Sequence, residues 1–170
     1  MDTFLEKLVT KRRTFSDNLA TFGILMAGVI LVLVSLSIPL LNQLGVSLLL
    51  AAGLVYLTYR FISARNIEYE YVVTNGELDI DKIISKRKRK RIFSASCKEF
   101  EILAKVSSNS FSQSVQSIKN RIDATSSINS PDAYFATLSY KGEKTLVIFE
   151  PDERMLNNFK VFIPRKIFTA

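Results

Sequence analysis

The sequence predicts a membrane α-helical hairpin followed by an α+β domain, a small antiparallel β-barrel or curved sheet closed by a C-terminal helix. Three observations carry this. The forty-four residues Leu19 to Ile62 hold no charge except Arg60. From Ile67 onward apolar residues recur every second position. Near the end, Met155, Leu156, Phe159, Phe162 and Ile163 recur at helical spacing between Pro151 and Pro164.

The apolar stretch is too long for one span and right for two. Segments 19–41 and 44–62 have 23 and 19 residues. At about 1.5 Å per residue they make helices of roughly 34 and 28 Å, near the ~30 Å hydrocarbon thickness. Pro39, Asn42, Gln43 and Gly45 mark the turn between them. Lys11, Arg12 and Arg13 precede the hairpin, and Arg60 and Arg65 end it, while its connection is uncharged. The positive-inside rule therefore expects both termini in the cytoplasm. Gly23 with Ala27, and Ser47 with Ala51, offer small residues four apart for close helix approach. With no ionisable group inside the spans apart from Arg60, no ion or proton path is expected.

Residues 1–18 read as an amphipathic helix, with Thr3 and Glu6 as capping box and Phe4, Leu5, Leu8, Val9 and Phe15 on one side. Two roles stay open for it: an interfacial anchor through Phe4, Leu5, Leu8, Lys11, Arg12 and Arg13, or a flank that packs on the domain.

The soluble part, residues 66–170, begins with a β-hairpin. Ile67, Tyr69, Tyr71 and Val73 alternate up to Asn75-Gly76, a type I′ turn signal, and Leu78 and Ile80 alternate after it. A third strand is expected over 91–95, a short turn over 96–99 and a fourth strand over 100–106. Residues 107–132, rich in Ser and Asn, read as a polar insertion with one helical turn near 115–122. A second hairpin turns at Lys141-Gly142, and Asp152 caps the last helix.

Composition removes most enzyme chemistry. The chain has no histidine, one cysteine (Cys97), and only Gly76 and Gly142 in the soluble part. That excludes His-dependent triads, a zinc site and glycine-rich phosphate loops, so no catalytic, cofactor or metal residue is expected. The net charge of +7 is localised: from Ser63 onward 18 Lys and Arg face 13 Asp and Glu, and six of the 18 form the run Lys86, Arg87, Lys88, Arg89, Lys90, Arg91. In extended chain the lysines of this run point to one side and the arginines to the other, so the run must be a loop or a ribbon wet on both faces. The Asn75-Gly76 register places Ile84 opposite Ile67 and would carry Lys86 to the level of Arg65. Three readings stay open for the run: a solvated cluster, a contact with anionic headgroups, and an acidic macromolecule. Nucleic acid is disfavoured because no aromatic is interleaved.

This order resembles the pleckstrin-homology-like (bacterial PH-like) domains of bacterial membrane proteins, in which two membrane helices precede a small β-barrel closed by a C-terminal helix; it is most similar to an uncharacterised family of them. The likeness rests on 69–84 (YEYVVTNGELDIDKII), 86–93 (KRKRKRIF) and 147–156 (VIFEPDERML). The chain departs from the full fold in showing about six readable strands instead of seven, and in the 107–132 insertion. The resemblance supplies no catalytic residue. It implies a non-enzymatic adaptor that contacts anionic phospholipid or another membrane protein, through Lys86 to Arg91 with Arg65. The alternative is a structural subunit of a membrane assembly whose hairpin makes the specific contacts.

Overall fold

The structure, a computed structural model, describes residues 3–127 and 129–168. The chain forms two compact units, one of residues Arg12–Asn66 and one assembled from Met1–Lys11 together with Ile67–Ala170.

The first unit is helical: α1 (Phe15–Ser37), α2 (Pro39–Gln43) and α3 (Ser47–Ala64). Thr14 caps α1 in a reciprocal box, its Oγ1 accepting from the Asp17 amide while its own amide donates to Asp17 Oδ2. The helix therefore starts four residues before the expected Leu19, and it stops before Pro39, whose missing N–H suits the first turn of α2. Helices α1 and α3 pack together at Gly28, where a Cβ would lie 2.3 Å from Thr58 Oγ1. Of the predicted small-residue pairs, Ser47 and Ala51 are buried, whereas Gly23 meets nothing within 4 Å. Asp17 receives Arg65 at 2.8 Å, a half-exposed ion pair worth about 0–1 kcal/mol. Both α1 and α3 are long and apolar enough to cross a membrane, with mean hydropathy 2.6 and 1.4 and only 11% of each apolar window buried. A helix at the core of a soluble fold would bury most of that surface.

The second unit holds two sheets. The first has the order β1 (Phe4–Thr10), β2 (Ile67–Thr74), β3 (Glu77–Ile84), β4 (Lys88–Ser96), every neighbour antiparallel. After a 3-10 turn over Cys97–Glu99 come β5 (Ile102–Lys105), α4 (Gln113–Gln116), β6 (Asn120–Asp123), β7 (Tyr134–Tyr140), β8 (Glu143–Phe149), α5 (Glu153–Phe162) and β9 (Ile167–Phe168). The second sheet has the order β6-β8-β7-β5-β9, with β6 and β9 joined in parallel. The expected barrel is thus not a closed one, nor are the pairings all antiparallel. Asn75-Gly76 and Lys141-Gly142 both have positive φ at the two turn positions, as type I′ hairpins require. The register pairs Ile67 with Ile84 as expected, and the pairing of the two strands ends there; Arg65 is the C-cap of α3.

Residues 4–10 are the main correction. They form a strand, not a helix, because residues four apart share a face in either conformation and the pattern cannot tell the two apart. Val9 is buried and Leu5 packs on the same core, while Phe4 and Leu8 face outward. The proposed Thr3–Glu6 box gives way to tertiary bonds: the Thr3 amide donates to Asn75 Oδ1 at 3.1 Å. The sheet unit therefore begins before α1, and the helical hairpin is an insertion between β1 and β2. The Lys11 amide donates to the Ile67 carbonyl at 3.0 Å, so the two chain crossings leave the sheet side by side.

One core joins both sheets and α5. Tyr71, Val73, Leu78, Ile80 and Phe93 meet Leu103, Leu138, Val147, Phe149, Met155, Leu156 and Phe159. Helix α5 is capped as expected, Asp152 Oδ1 accepting the Met155 amide at 2.8 Å. The 107–132 segment is more built than its composition suggests. Its helical turn sits at 113–116 and it supplies β6. Tyr71 Oη donates to the Ala124 carbonyl, and Glu150 accepts from both the amide and the hydroxyl of Ser126 at 2.8 and 2.7 Å. Glu150 is thus a buried strut.

Candidate functional site

The candidate site is the outer face of the first sheet and the β3–β4 turn. In β2 and β3, Tyr71, Val73, Leu78 and Ile80 point to the core, which leaves Glu68, Glu70, Asp79 and Asp81 on the other face. A bulge in β4 then decides where the basic run points. Ile80 pairs with Phe93 but Asp81 pairs with Arg91, so Ile92 is the extra residue. Phe93 stays in the core, and Arg91 and Arg89 join the carboxylate face.

The six cations therefore split. Arg91 reaches Asp79 at 2.6 Å and also bonds Asp81, and Arg89 reaches Glu70 at 2.8 Å. Lys86, Arg87, Lys88 and Lys90 are exposed and make no ion pair among the described residues. Lys86, with φ +56°, forms the turn with Ser85 at φ +56°. The expected ribbon wet on both faces is present, but only on its lysine side and at its tip are the charges free.

Glu70 is the residue the sequence reading missed. It is 4% exposed, Arg89 holds its Oε1, and its Oε2 has no hydrogen-bond partner among the described residues. Burial pushes its carboxyl above the ordinary range, Arg89 opposes this, and neighbouring Glu6 adds to it. Alternation alone marks Glu70 as one more wet-face acid; only the strand β1, which sets Leu8 directly opposite it, explains the burial. Glu6, Leu8, Glu68, Glu70, Ile83, Lys86, Arg87 and Arg89 together line a groove of about 430 Å³.

The other predicted contact residues lie elsewhere. Phe4 and Leu8 project from the outer face, 65% and 53% exposed, and Leu5 faces the core. Lys11 ends the sheet unit, while Arg12 is exposed at the start of the helical unit, in which Arg13 bonds Asn66 and Arg65 bonds Asp17. Among the described residues, no group of three or more His, Cys, Asp or Glu is placed to hold a metal ion. Cys97 is buried, and that burial raises its thiol pKa, as for a structural rather than a reactive cysteine.

Among curated proteins and among solved structures none matches the chain. The family described as Bacterial PH-like domain (DUF6106) matches residues 1–169, strand β1 and the helical hairpin included. The chain is a member of that bacterial PH-like family.

Proposed function

We propose that this protein is a non-enzymatic, membrane-anchored PH-like binding module of the inner membrane, with both termini cytoplasmic. The free cations of the β3–β4 tip contact anionic headgroups or an acidic membrane protein. The observation that carries the reading is the split of the basic run. Four of six cations, Lys86, Arg87, Lys88 and Lys90, are exposed and make no ion pair among the described residues, and the paired strands β3 and β4 hold them at one end of a hairpin. Each basic residue near an anionic leaflet gains about 1 kcal/mol, so the free four supply up to about 4 kcal/mol, and the two paired arginines add little. That suffices to orient a domain already tethered by two chain crossings. Specific recognition needs further contacts, for which exposed Phe4 and Leu8 are available.

The full chain tests this directly. In nanodiscs with and without anionic lipid, amine-reactive labelling is read by mass spectrometry at Lys86, Lys88 and Lys90, with Lys141 and Lys144 as internal references. Protection of the first three only in anionic discs, lost at high salt, supports the reading. Equal labelling in both discs removes the lipid contact and favours the alternative, a structural subunit whose hairpin makes the specific contacts.

A further inference from the structure

Four strands stand at sheet edges, β1 and β4 in the first sheet and β6 and β9 in the second. An open edge is a template for a further strand, and folded proteins blunt it by shortness, lysine or a bulge. Strands β6 and β9 have four and two residues. Strand β4 carries exposed Lys88 and Lys90 and the bulge at Ile92. Strand β1 has none of these devices: it runs for seven residues, without proline and without a break in its register. Its one basic residue, Lys7, does not guard the edge, because Nζ donates to the Glu150 carbonyl at 2.8 Å.

The ladder with β2 fixes which groups the edge presents. The Asn75 amide donates to the Thr3 carbonyl at 3.3 Å and the Lys11 amide to the Ile67 carbonyl at 3.0 Å, so both ends of the ladder are hydrogen-bonded pairs. Such pairs alternate along an antiparallel ladder, which gives Leu5, Lys7 and Val9 to β2. Phe4, Glu6, Leu8 and Thr10 therefore turn their N–H and C=O groups to the free edge, where no partner for them occurs among the described residues. The same four residues carry their side chains on the outer face, and Phe4 and Leu8 are the large apolar ones left exposed there.

We propose that the free edge of β1 is a self-association surface, on which β1 of a second copy of this chain pairs antiparallel about a two-fold axis at Lys7. In that register Phe4 meets Thr10, Leu5 meets Val9 and Glu6 meets Leu8 of the other copy, so the whole strand overlaps. The four outward-bonding residues of each copy then form four close pairs of two bonds each, about eight hydrogen bonds in all. A register centred on Glu6 or on Leu8 shortens the overlap at both ends, and the first sets two glutamates directly opposite, which is unfavourable. In the Lys7 register Phe4 and Leu8 of one copy are diagonal neighbours of Leu8 of the other, within side-chain reach, so the exposed apolar residues cover one another. Lys7 meets its own equivalent at the axis, but each ammonium is held by its own Glu150 carbonyl and acts on its own Asp152 carboxylate. An edge that is its own complement closes as a pair and leaves no second copy of that edge to extend. The inference does not use the tip cations and does not require them to touch lipid.

The test uses the full chain in non-ionic micelles and has two independent readouts. The first is register. Single variants Phe4→Cys, Lys7→Cys and Thr10→Cys are treated with a mild oxidant, and dimers are counted on a denaturing gel; buried Cys97 leaves the wild type as the uncrosslinked control. Facing Lys7 positions form a non-hydrogen-bonded pair with Cα atoms about 4.5 Å apart, within disulfide reach. Equivalent Phe4 or Thr10 positions lie six residues apart along the strand, about 20 Å. The expected result is dimer from Lys7→Cys at least tenfold above the other two. The second readout is sedimentation, in which the wild type carries two copies per particle and Leu8→Pro carries one. Proline at residue 8 removes an amide that points to the free edge and none that bonds β2, so the sheet unit stays folded, as slow Cys97 alkylation shows. The proposal is overturned if the wild type sediments as one copy or if Phe4→Cys or Thr10→Cys crosslinks as readily as Lys7→Cys. It is overturned equally if folded Leu8→Pro remains a dimer, which would assign the contact to the helices.

Discussion

Val9→Ala separates a strand at residues 4–10 from a helix there. Val9 is 7% exposed and sits in the main core, whereas Leu8 is 53% exposed on the outer face. Removing two buried methyl groups costs about 1.6 kcal/mol in transfer, and with the residual cavity about 2 kcal/mol. For a sheet unit of this size that is a drop of roughly 8 °C in Tm. Leu8→Ala, on the wet face, changes stability by less than about 0.5 kcal/mol. A helix would carry Leu5, Leu8 and Val9 on one side, so the two substitutions would act alike. The assay is alkylation of Cys97 against temperature in the full chain. This single thiol is fully buried in the sheet unit and becomes reactive only when that unit opens. A Val9→Ala curve that overlies the wild type, or a Leu8→Ala curve that falls with it, refutes the strand assignment.

Three further outcomes follow from the same geometry. Tyr71→Phe removes the donor to the Ala124 carbonyl and the acceptor of the Glu150 amide, both buried. It costs about 1–3 kcal/mol by Cys97 alkylation, together with faster amide exchange over 124–126. Glu70→Gln tests the raised carboxyl pKa. The native state holds the proton more tightly than the unfolded chain, so stability falls as pH rises from the ordinary carboxylate range through the raised value. Denaturant midpoints across that window lose this fall in the variant; an identical pH profile would show that Glu70 titrates normally. Finally, replacing residues 12–66 by Asn-Gly continues the register in which Lys11 meets Ile67, and yields a soluble, folded sheet unit with dispersed amide resonances. A fragment starting at residue 66 lacks β1, exposes the β2 edge and aggregates.

Much of this architecture is legible locally. The Asn75-Gly76 turn with alternation on both sides gives strands and register together, because a two-residue I′ turn admits only one pairing. Pro151, Asp152 and the apolar spacing after them give α5 and its buried face. What is not legible is non-local. Strand β1 pairs with residues some sixty positions on, across the hairpin, and its own spacing fits helix and strand equally. Strand β6 lies in a Ser-rich segment and pairs in parallel with β8, which no alternation announces. The bulge at Ile92 is equally silent, yet it aims Arg89 and Arg91 at carboxylates and so decides which cations of the run are free. Charge counting therefore overstates the basic patch by half: six cations are written and four are available. Glu70 escapes for the same reason, since its burial depends on a strand that the pattern does not reveal.

The measurement that bears most directly on the account is flotation of the hairpin-excised sheet unit with anionic and neutral vesicles. Four free cations at about 1 kcal/mol each give a partition near 1 mM lipid for half binding. The account predicts that the folded unit floats with anionic vesicles in that concentration range, stays behind with neutral ones, and is released by high salt. It further predicts that changing Lys86, Arg87, Lys88 and Lys90 to Gln abolishes flotation, while changing the paired Arg91 leaves it nearly intact. A folded unit that ignores anionic vesicles, or one whose binding survives loss of the four free cations, contradicts it.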